Sequence, residues 1–69
     1  MSALVKDNIK MAMENYLEAS IAKHRVNVDI LMSNGVGVAE HPDVMETIEN
    51  ELGKMAEYHD KLEMLKEYF

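Results

Sequence analysis

Histidine and glutamate side chains are the groups in this sequence that could transfer protons or hold a metal ion. His59 and Glu63 are four residues apart, so a helix would place both on one face, but two ligands do not define a metal site. Bundle proteins with two metal ions use a Glu-x-x-His motif, and neither His24 nor His59 has a glutamate three residues before it. We therefore predict no metal ligands. Binding of a metal or small ligand near His59 and Tyr16 is the weakest of three functional hypotheses.

Nucleophilic catalysis also has little support in the sequence. Ser20 precedes His24 by four residues, which is within reach on a helix, but no third group or oxyanion donor accompanies the pair. The Gly-Val-Gly segment at 35–37 lacks the lysine and the preceding strand of a phosphate-binding loop. The seven methionines are dispersed rather than clustered as copper ligands, so they favour core packing or an adaptable binding surface. We expect no enzyme activity, no catalytic residue and no cofactor.

The charge distribution disfavours nucleic acid and anionic membranes as partners. The net charge is −6; residues 1–39 carry four basic and four acidic side chains, whereas residues 40–69 carry three and nine. No basic stripe is present that could neutralise phosphates, and an acidic surface favours a basic protein partner instead. The chain has no cysteine and no apolar run of the roughly 20 residues that span a bilayer. We expect a soluble, cytoplasmic protein.

The first half of the chain has the composition and the periodicity of one long helix. Residues 3–33 contain no proline and no glycine and are rich in good helix formers. Helical spacing continues through 26–31, so we predict helix there although its β-branched residues favour a strand. Two apolar rows cover more than half of the cylinder, whereas one neighbour needs a stripe of only about 100°, so this helix should contact at least two others. The rows are Val5, Ile9, Ala12, Tyr16, Ala19, Val26 and Ile30, and Met13, Leu17, Ile21, Val28 and Leu31.

A turn and a second helix follow. Asn34 and Gly35 are typical of a helix end, and Pro42 suits the first position of the next helix. We predict an all-α fold and a single domain, a hairpin with helices at 3–33 and 42–68 joined by a turn at 34–41. The second helix has the 3–4–3 apolar spacing of a heptad seam, with His59 and Lys66 filling two gaps. The seam comprises Met45, Ile48, Leu52, Met55, His59, Leu62, Lys66 and Phe69.

A short connection makes two helices antiparallel, and residues at one level then have numbers that add to roughly 75. This predicts that Tyr16 lies beside His59 and that His24 lies beside Glu51. A lone hairpin would leave one side of both apolar stripes in water, so we predict a two-fold dimer that forms a four-helix bundle. The predicted core and interface residues are Tyr16, Leu17, Ile21, Ile30, Met45, Ile48, Leu52, Met55, His59 and Leu62.

Two segments, KMAMENYL at 10–17 and EHPDVME at 40–46, give the chain a resemblance to known sequences. The chain resembles short helical proteins encoded by tailed phages of marine bacteria, over nearly its full length. The resemblance implies a viral or environmental origin and a small helical accessory protein. That group has no established activity or functional residues to carry over to this chain.

Our first functional hypothesis is a non-enzymatic helical hairpin that self-associates and acts through protein contacts, as an accessory or structural factor. The alternative is an acidic decoy or inhibitor that binds a basic host or viral protein through the second helix. The side chains that would make this contact are Glu46, Glu49, Glu57 and Glu63.

Overall fold

The computed structural model of the chain describes residues 2–33 and 43–69, which form two long helices. Helix α1 spans Ser2–Ser33 and helix α2 spans Val44–Tyr68. The helices are antiparallel, because Asn27 in the later part of α1 contacts Glu51 in the first half of α2, whereas Glu18, earlier in α1, pairs with Lys66 near the end of α2. The predicted all-α hairpin is confirmed. The predicted turn at 34–41 and the predicted helix start at Pro42 lie outside the described residues.

Helix α1 is continuous from Ser2 to Ser33, including the β-branched segment at 26–31. The prediction of helix rather than strand for that segment is confirmed. Two hydroxyl groups are accommodated inside the helix by local hydrogen bonds. Ser20 donates to the carbonyl of Tyr16 at 2.8 Å, and Ser33 donates to the carbonyl of Asp29 at 2.8 Å. Such bonds to the fourth residue back satisfy a hydroxyl that would otherwise compete with the helix for backbone groups.

Helix α2 begins after Asp43, whose carbonyl accepts two hydrogen bonds from Thr47. The backbone N–H of Thr47 donates at 2.9 Å and its hydroxyl donates at 3.0 Å. Glu46 lies in the first turn and Lys66 in the last, so each charge faces the helix end that it stabilises. At the C-terminus, the N–H of Phe69 donates to the carbonyl of Leu65 at 3.1 Å.

The helices meet along two seams with regular heptad spacing. In the single hairpin most buried and half-buried side chains recur at intervals of four and three residues on both helices, and the half-buried Ser20 and Asn27 lie beside this row on α1. The α1 seam comprises Lys10, Glu14, Leu17, Ile21, His24, Val28 and Leu31, and the α2 seam comprises Val44, Ile48, Glu51, Met55, Tyr58, Leu62 and Leu65.

The α2 seam differs from the predicted one at every second position. Ile48, Met55 and Leu62 lie in both, but the residues between them are displaced by one toward the N-terminus. Leu52 and His59 were predicted in the seam, and Glu51 and Tyr58 occupy it instead. The two patterns share three positions and lie next to each other on the helix, so apolar spacing alone does not separate them.

The core of the hairpin is thin. Among the described residues, only Leu17, Val28 and Leu62 are buried apolar side chains, and none is fully enclosed. Fourteen large apolar side chains in the same part of the chain are exposed. The rod is 57 Å long and 16 × 11 Å across, so most side chains lie within reach of water.

Candidate functional site

A group of four polar side chains crosses the middle of the seam, and we refer to His24, Asn27, Glu51 and Tyr58 as the polar layer. Nδ1 of His24 lies 2.5 Å from Oε2 of Glu51, and the side-chain amide of Asn27 donates to the same oxygen at 3.3 Å. The side chain of His24 is 7% exposed and that of Glu51 is 17% exposed. The carboxylate is therefore largely removed from water and depends on partners from α1.

The aromatic ring of Tyr58 completes the polar layer from α2. It stacks on the imidazole of His24, with ring centroids 5.8 Å apart and an angle of 11° between the planes. It also meets the ring of Tyr16 edge to face at 6.4 Å and 87°. The ammonium of Lys61 lies 5.5 Å from the centroid of Tyr58. Tyr58 is thus held by two aromatic contacts from α1 and one cation from its own helix.

These contacts change the acidity of two groups in the polar layer. The hydrogen bond from His24 is the main reason that the pKa of Glu51 is below its usual 4.5, and the bond from Asn27 acts in the same direction. The pKa of Tyr58 is above its usual 10.0, mainly because a second phenolate at Tyr16 would repel it. Both shifts stabilise the charge state that the groups have near neutral pH.

Two open grooves flank the polar layer. The first has a volume of about 290 Å³ and is lined by Tyr16, Ala19, Ser20, Lys23, His24 and Tyr58. The second has a volume of about 280 Å³ and is lined by Asn27, Ile30, Leu31, Thr47 and Glu51. Ser20 does not face His24 as a nucleophile, because its hydroxyl donates to the backbone of Tyr16. Neither groove combines an activated nucleophile with a base.

A second row of α1 side chains runs along the side of the helix that lies largely away from α2, although its member Tyr16 also contacts Tyr58. We refer to this row as the outer stripe. Its spacing is again four and three residues, but it lies about 150° around the helix from the seam, at 100° per residue. Its large apolar members expose between 53% and 64% of their accessible area, and Lys23 is its single charged residue. The outer stripe comprises Val5, Ile9, Ala12, Tyr16, Ala19, Lys23, Val26 and Ile30.

The side of α2 that faces away from α1 is acidic. Its carboxylates are exposed, and one of them pairs with Lys61, whose ammonium lies 2.9 Å from Oε1 of Glu57. This ion pair raises the pKa of Lys61 above its usual 10.5. The exposed acids are Glu46, Glu49, Glu57, Asp60, Glu63 and Glu67.

The ten predicted core and interface residues divide into two groups. Leu17 and Leu62 are buried in the hairpin, and Ile21, Ile48 and Met55 are half-buried. The other five are exposed in the single hairpin, although Tyr16 contacts Tyr58 across the two helices. Their place in a core or at an interface therefore stays a prediction. These five are Tyr16, Ile30, Met45, Leu52 and His59.

The predicted pairing of His59 with Tyr16 is wrong. The side chain of His59 is 62% exposed, and its Nε2 lies 3.6 Å from Oε1 of Glu63 one turn later on α2. Tyr58 meets Tyr16 instead, at the level that the antiparallel geometry predicts. The prediction that His24 and Glu51 lie at the same level of the hairpin agrees with the hydrogen bond between them.

Asn27 and Tyr58 are the polar-layer residues that sequence reasoning did not identify. Each lies near a partner of known level, since Asn27 follows His24 by three residues, about one turn, and Tyr58 follows Glu51 by seven, about two turns. The α2 seam that places the Glu51 carboxylate opposite His24 also contains Tyr58. A requirement for a partner of His24 would therefore have identified Tyr58. No sequence signal identifies Asn27 before that register is known.

A metal site finds no support in this geometry. Among residues 2–33 and 43–69, no group of three or more histidine, aspartate or glutamate side chains is close enough to hold a metal ion. His59 and Glu63 form a pair only, and they lie on the exposed surface rather than at a bundle core. The proposed ligand site near His59 and Tyr16 therefore lacks its basis.

Comparison with protein-family models, with curated proteins and with solved structures finds no match to this chain. Within the described residues, neither helix is both long and apolar enough to cross a membrane.

Proposed function

We propose that this protein is a non-enzymatic helical hairpin that acts in the cytoplasm through self-association and protein contacts. Its resemblance to small phage proteins suggests an accessory or structural role in an infected bacterium. The observation that carries the proposal is the imbalance of apolar surface. Three large apolar side chains are buried in the described residues and fourteen are exposed, which is the reverse of what a stable small monomer needs.

The polar layer supports a structural role for the seam rather than a catalytic one. Nδ1 of His24 and Oε2 of Glu51 are hydrogen-bonded to each other inside the hairpin. The contact between the two helices therefore occupies the groups that could transfer protons. Buried polar pairs of this kind specify which residues meet, at some cost in stability. A hairpin with a thin, specific seam gains the stability that it lacks from association.

Sedimentation velocity or size-exclusion chromatography with light scattering tests the proposal on the untagged chain across micromolar concentrations. We expect a mass of at least two chains and a helix content that falls as the protein is diluted. A folded monomer whose helix content is independent of concentration would overturn the proposal.

The second candidate function is capture of a basic protein by the acidic side of α2, and the exposure of its carboxylates favours it. Binding of this kind weakens steeply with added salt, because exposed charges are screened over about 8 Å at physiological ionic strength. The test is a variant with Glu46, Glu49, Glu57 and Glu63 replaced by glutamine, compared with the wild type for capture of a basic protein. Equal capture by both would exclude this function.

A further inference from the structure

We propose that a second copy of this chain docks on the outer stripe, so that two α1 helices pack antiparallel and the two α2 helices lie outermost. This inference rests on the proposed self-association and specifies the surface that carries it. It differs from a square four-helix bundle, in which α1 and α2 would contribute equally to a shared core.

The exposed area of the chain matches what one such contact would bury. A compact monomer of 7.9 kDa exposes about 4,400 Å². The hairpin exposes 5458 Å², which is about 1,000 Å² more. A standard protein interface buries about 800 Å² on each partner. One docking event on the outer stripe is thus of the right size to bring the hairpin to an ordinary exposed area.

Charge selects α1 rather than α2 as the mutual contact. Residues 1–39 have no net charge, whereas residues 40–69 carry the entire net charge of −6. The exposed acids of two α2 helices would repel each other if they met across an interface. Two outer stripes can meet without that repulsion, because Lys23 is the single charge in either one.

The outer stripe is complementary to itself when two α1 helices run in opposite directions. With facing residue numbers that add to about 35, each position meets a member of the same stripe on the other copy, as antiparallel heptads require. The large ring of Tyr16 then faces the small Ala19 of the second copy, and Lys23 faces Ala12. At the two ends, Ile9 faces Val26 and Val5 faces Ile30.

A parallel arrangement of the two copies is disfavoured by the same residues. It would bring each stripe residue to the level of its own mate, so the two Lys23 ammonium groups would meet inside the contact. It would also place two Tyr16 rings at one level and two Ala19 methyl groups at another, which packs large against large and small against small. The antiparallel arrangement avoids both problems.

The first experiment compares Ala19→Glu with Ala56→Glu by sedimentation equilibrium. Both alanines are exposed, and each substitution adds one negative charge, but Ala19 is in the outer stripe and Ala56 is on the far side of α2. The new carboxylate at position 19 is four residues before Lys23, a spacing that favours the helix. We expect Ala19→Glu to weaken dimerisation by about 100-fold or more, because it buries a charge in each half of the contact, and Ala56→Glu to leave dimerisation unchanged.

The second experiment measures the direction of the two helices with a short thiol crosslinker, since the chain has no cysteine of its own. In the antiparallel arrangement Ala19→Cys links to its own mate, because position 19 is close to the two-fold axis. Ile9→Cys and Val26→Cys each fail to link alone but link when the two variants are mixed. Linking of Val26→Cys to itself would overturn the antiparallel arrangement.

The outcomes separate this inference from the proposed function. A monomeric wild-type chain removes both. A wild-type oligomer that persists in Ala19→Glu but dissociates in Leu52→Glu keeps the proposed function and overturns the outer stripe as the contact, because Leu52 is an exposed apolar residue of α2. The inference is supported if Ala19→Glu dissociates more readily than the wild type and still has the wild-type helix content at high protein concentration.

Discussion

Nδ1 of His24 and Oε2 of Glu51 lie 2.5 Å apart although 27 residues separate them in the chain, and this contact fixes how α2 lies along α1. A heptad seam repeats every seven residues, so α2 could slip by one repeat and still find apolar neighbours. A slip in either direction would place the Glu51 carboxylate opposite Leu17 or Leu31 and leave it unpaired. The cost of an unpaired, largely buried carboxylate selects the observed alignment.

Acid should weaken the hairpin through Glu51. Its folded pKa is below 4.5, so the stabilisation that it provides is complete above pH 4.5 and is lost as the pH falls through the lower folded value. We expect Glu51→Gln to be less stable than the wild type near neutral pH and to lose less stability in acid. Urea unfolding at fixed protein concentration, from about pH 7 to about pH 3, measures this difference. The exposed Glu49→Gln is the control, and equal acid sensitivity of the two variants would contradict the prediction.

Tyrosine titration should reveal the contact between Tyr16 and Tyr58. The pKa of Tyr58 is raised above 10.0, so the stability it provides is present below that pH and is lost as the pH rises through the folded value. We expect Tyr16→Phe to move the titration of Tyr58 to lower pH, because it removes the competing phenolate. Absorbance near 295 nm follows the three tyrosines, and Tyr68→Phe serves as the background. The same titration midpoint for Tyr58 in both variants would show that the rings do not interact.

Two leucines of α2 should differ sharply in their effect on stability. Leu62 is 8% exposed and packs in the seam, so Leu62→Ala should cost roughly 2–4 kcal/mol of the free energy of unfolding. Leu52 is 48% exposed on the side of the hairpin, so Leu52→Ala should cost about 1 kcal/mol or less. Chemical unfolding monitored by circular dichroism measures both. Equal losses would mean that Leu52 is buried by another copy.

Replacement of Gly53 by alanine should increase the stability of the fold. Apart from its chain neighbours and the adjacent backbone of its own helix, a Cβ atom at this position would meet nothing within 4 Å, and the residue lies inside α2. Alanine has a helix propensity about 1 kcal/mol better than glycine, so Gly53→Ala should stabilise the fold by about that amount. Thermal unfolding at constant protein concentration tests this. A lower melting temperature would place a neighbouring molecule against this side of α2.

The fold could be predicted because the sequence offers few alternatives. Residues 2–33 have helical spacing without proline or glycine, and the connection to the second helix is too short for anything but an antiparallel hairpin. The antiparallel arrangement also predicts that His24 lies beside Glu51, as the hydrogen bond between them shows.

The side of α2 that faces α1 could not be predicted from apolar spacing. The predicted seam has Met45 and Leu52 where the structure has Val44 and Glu51. The structure uses the seam with Glu51 and Tyr58, because this seam supplies partners for His24. Burial of a histidine needs a specific partner on the facing helix, and a count of apolar residues does not include that requirement.

The acidic side of α2 has a consequence for concentrated solutions of the protein. Its exposed carboxylates give each particle a coat of like charge, so particles repel one another at distances up to the screening length. The osmotic second virial coefficient should therefore be positive at low ionic strength and should fall toward zero as salt is added. The hairpin thus combines an exposed apolar stripe with a colloidally repulsive side, and such a combination favours assemblies of finite size over open-ended aggregates.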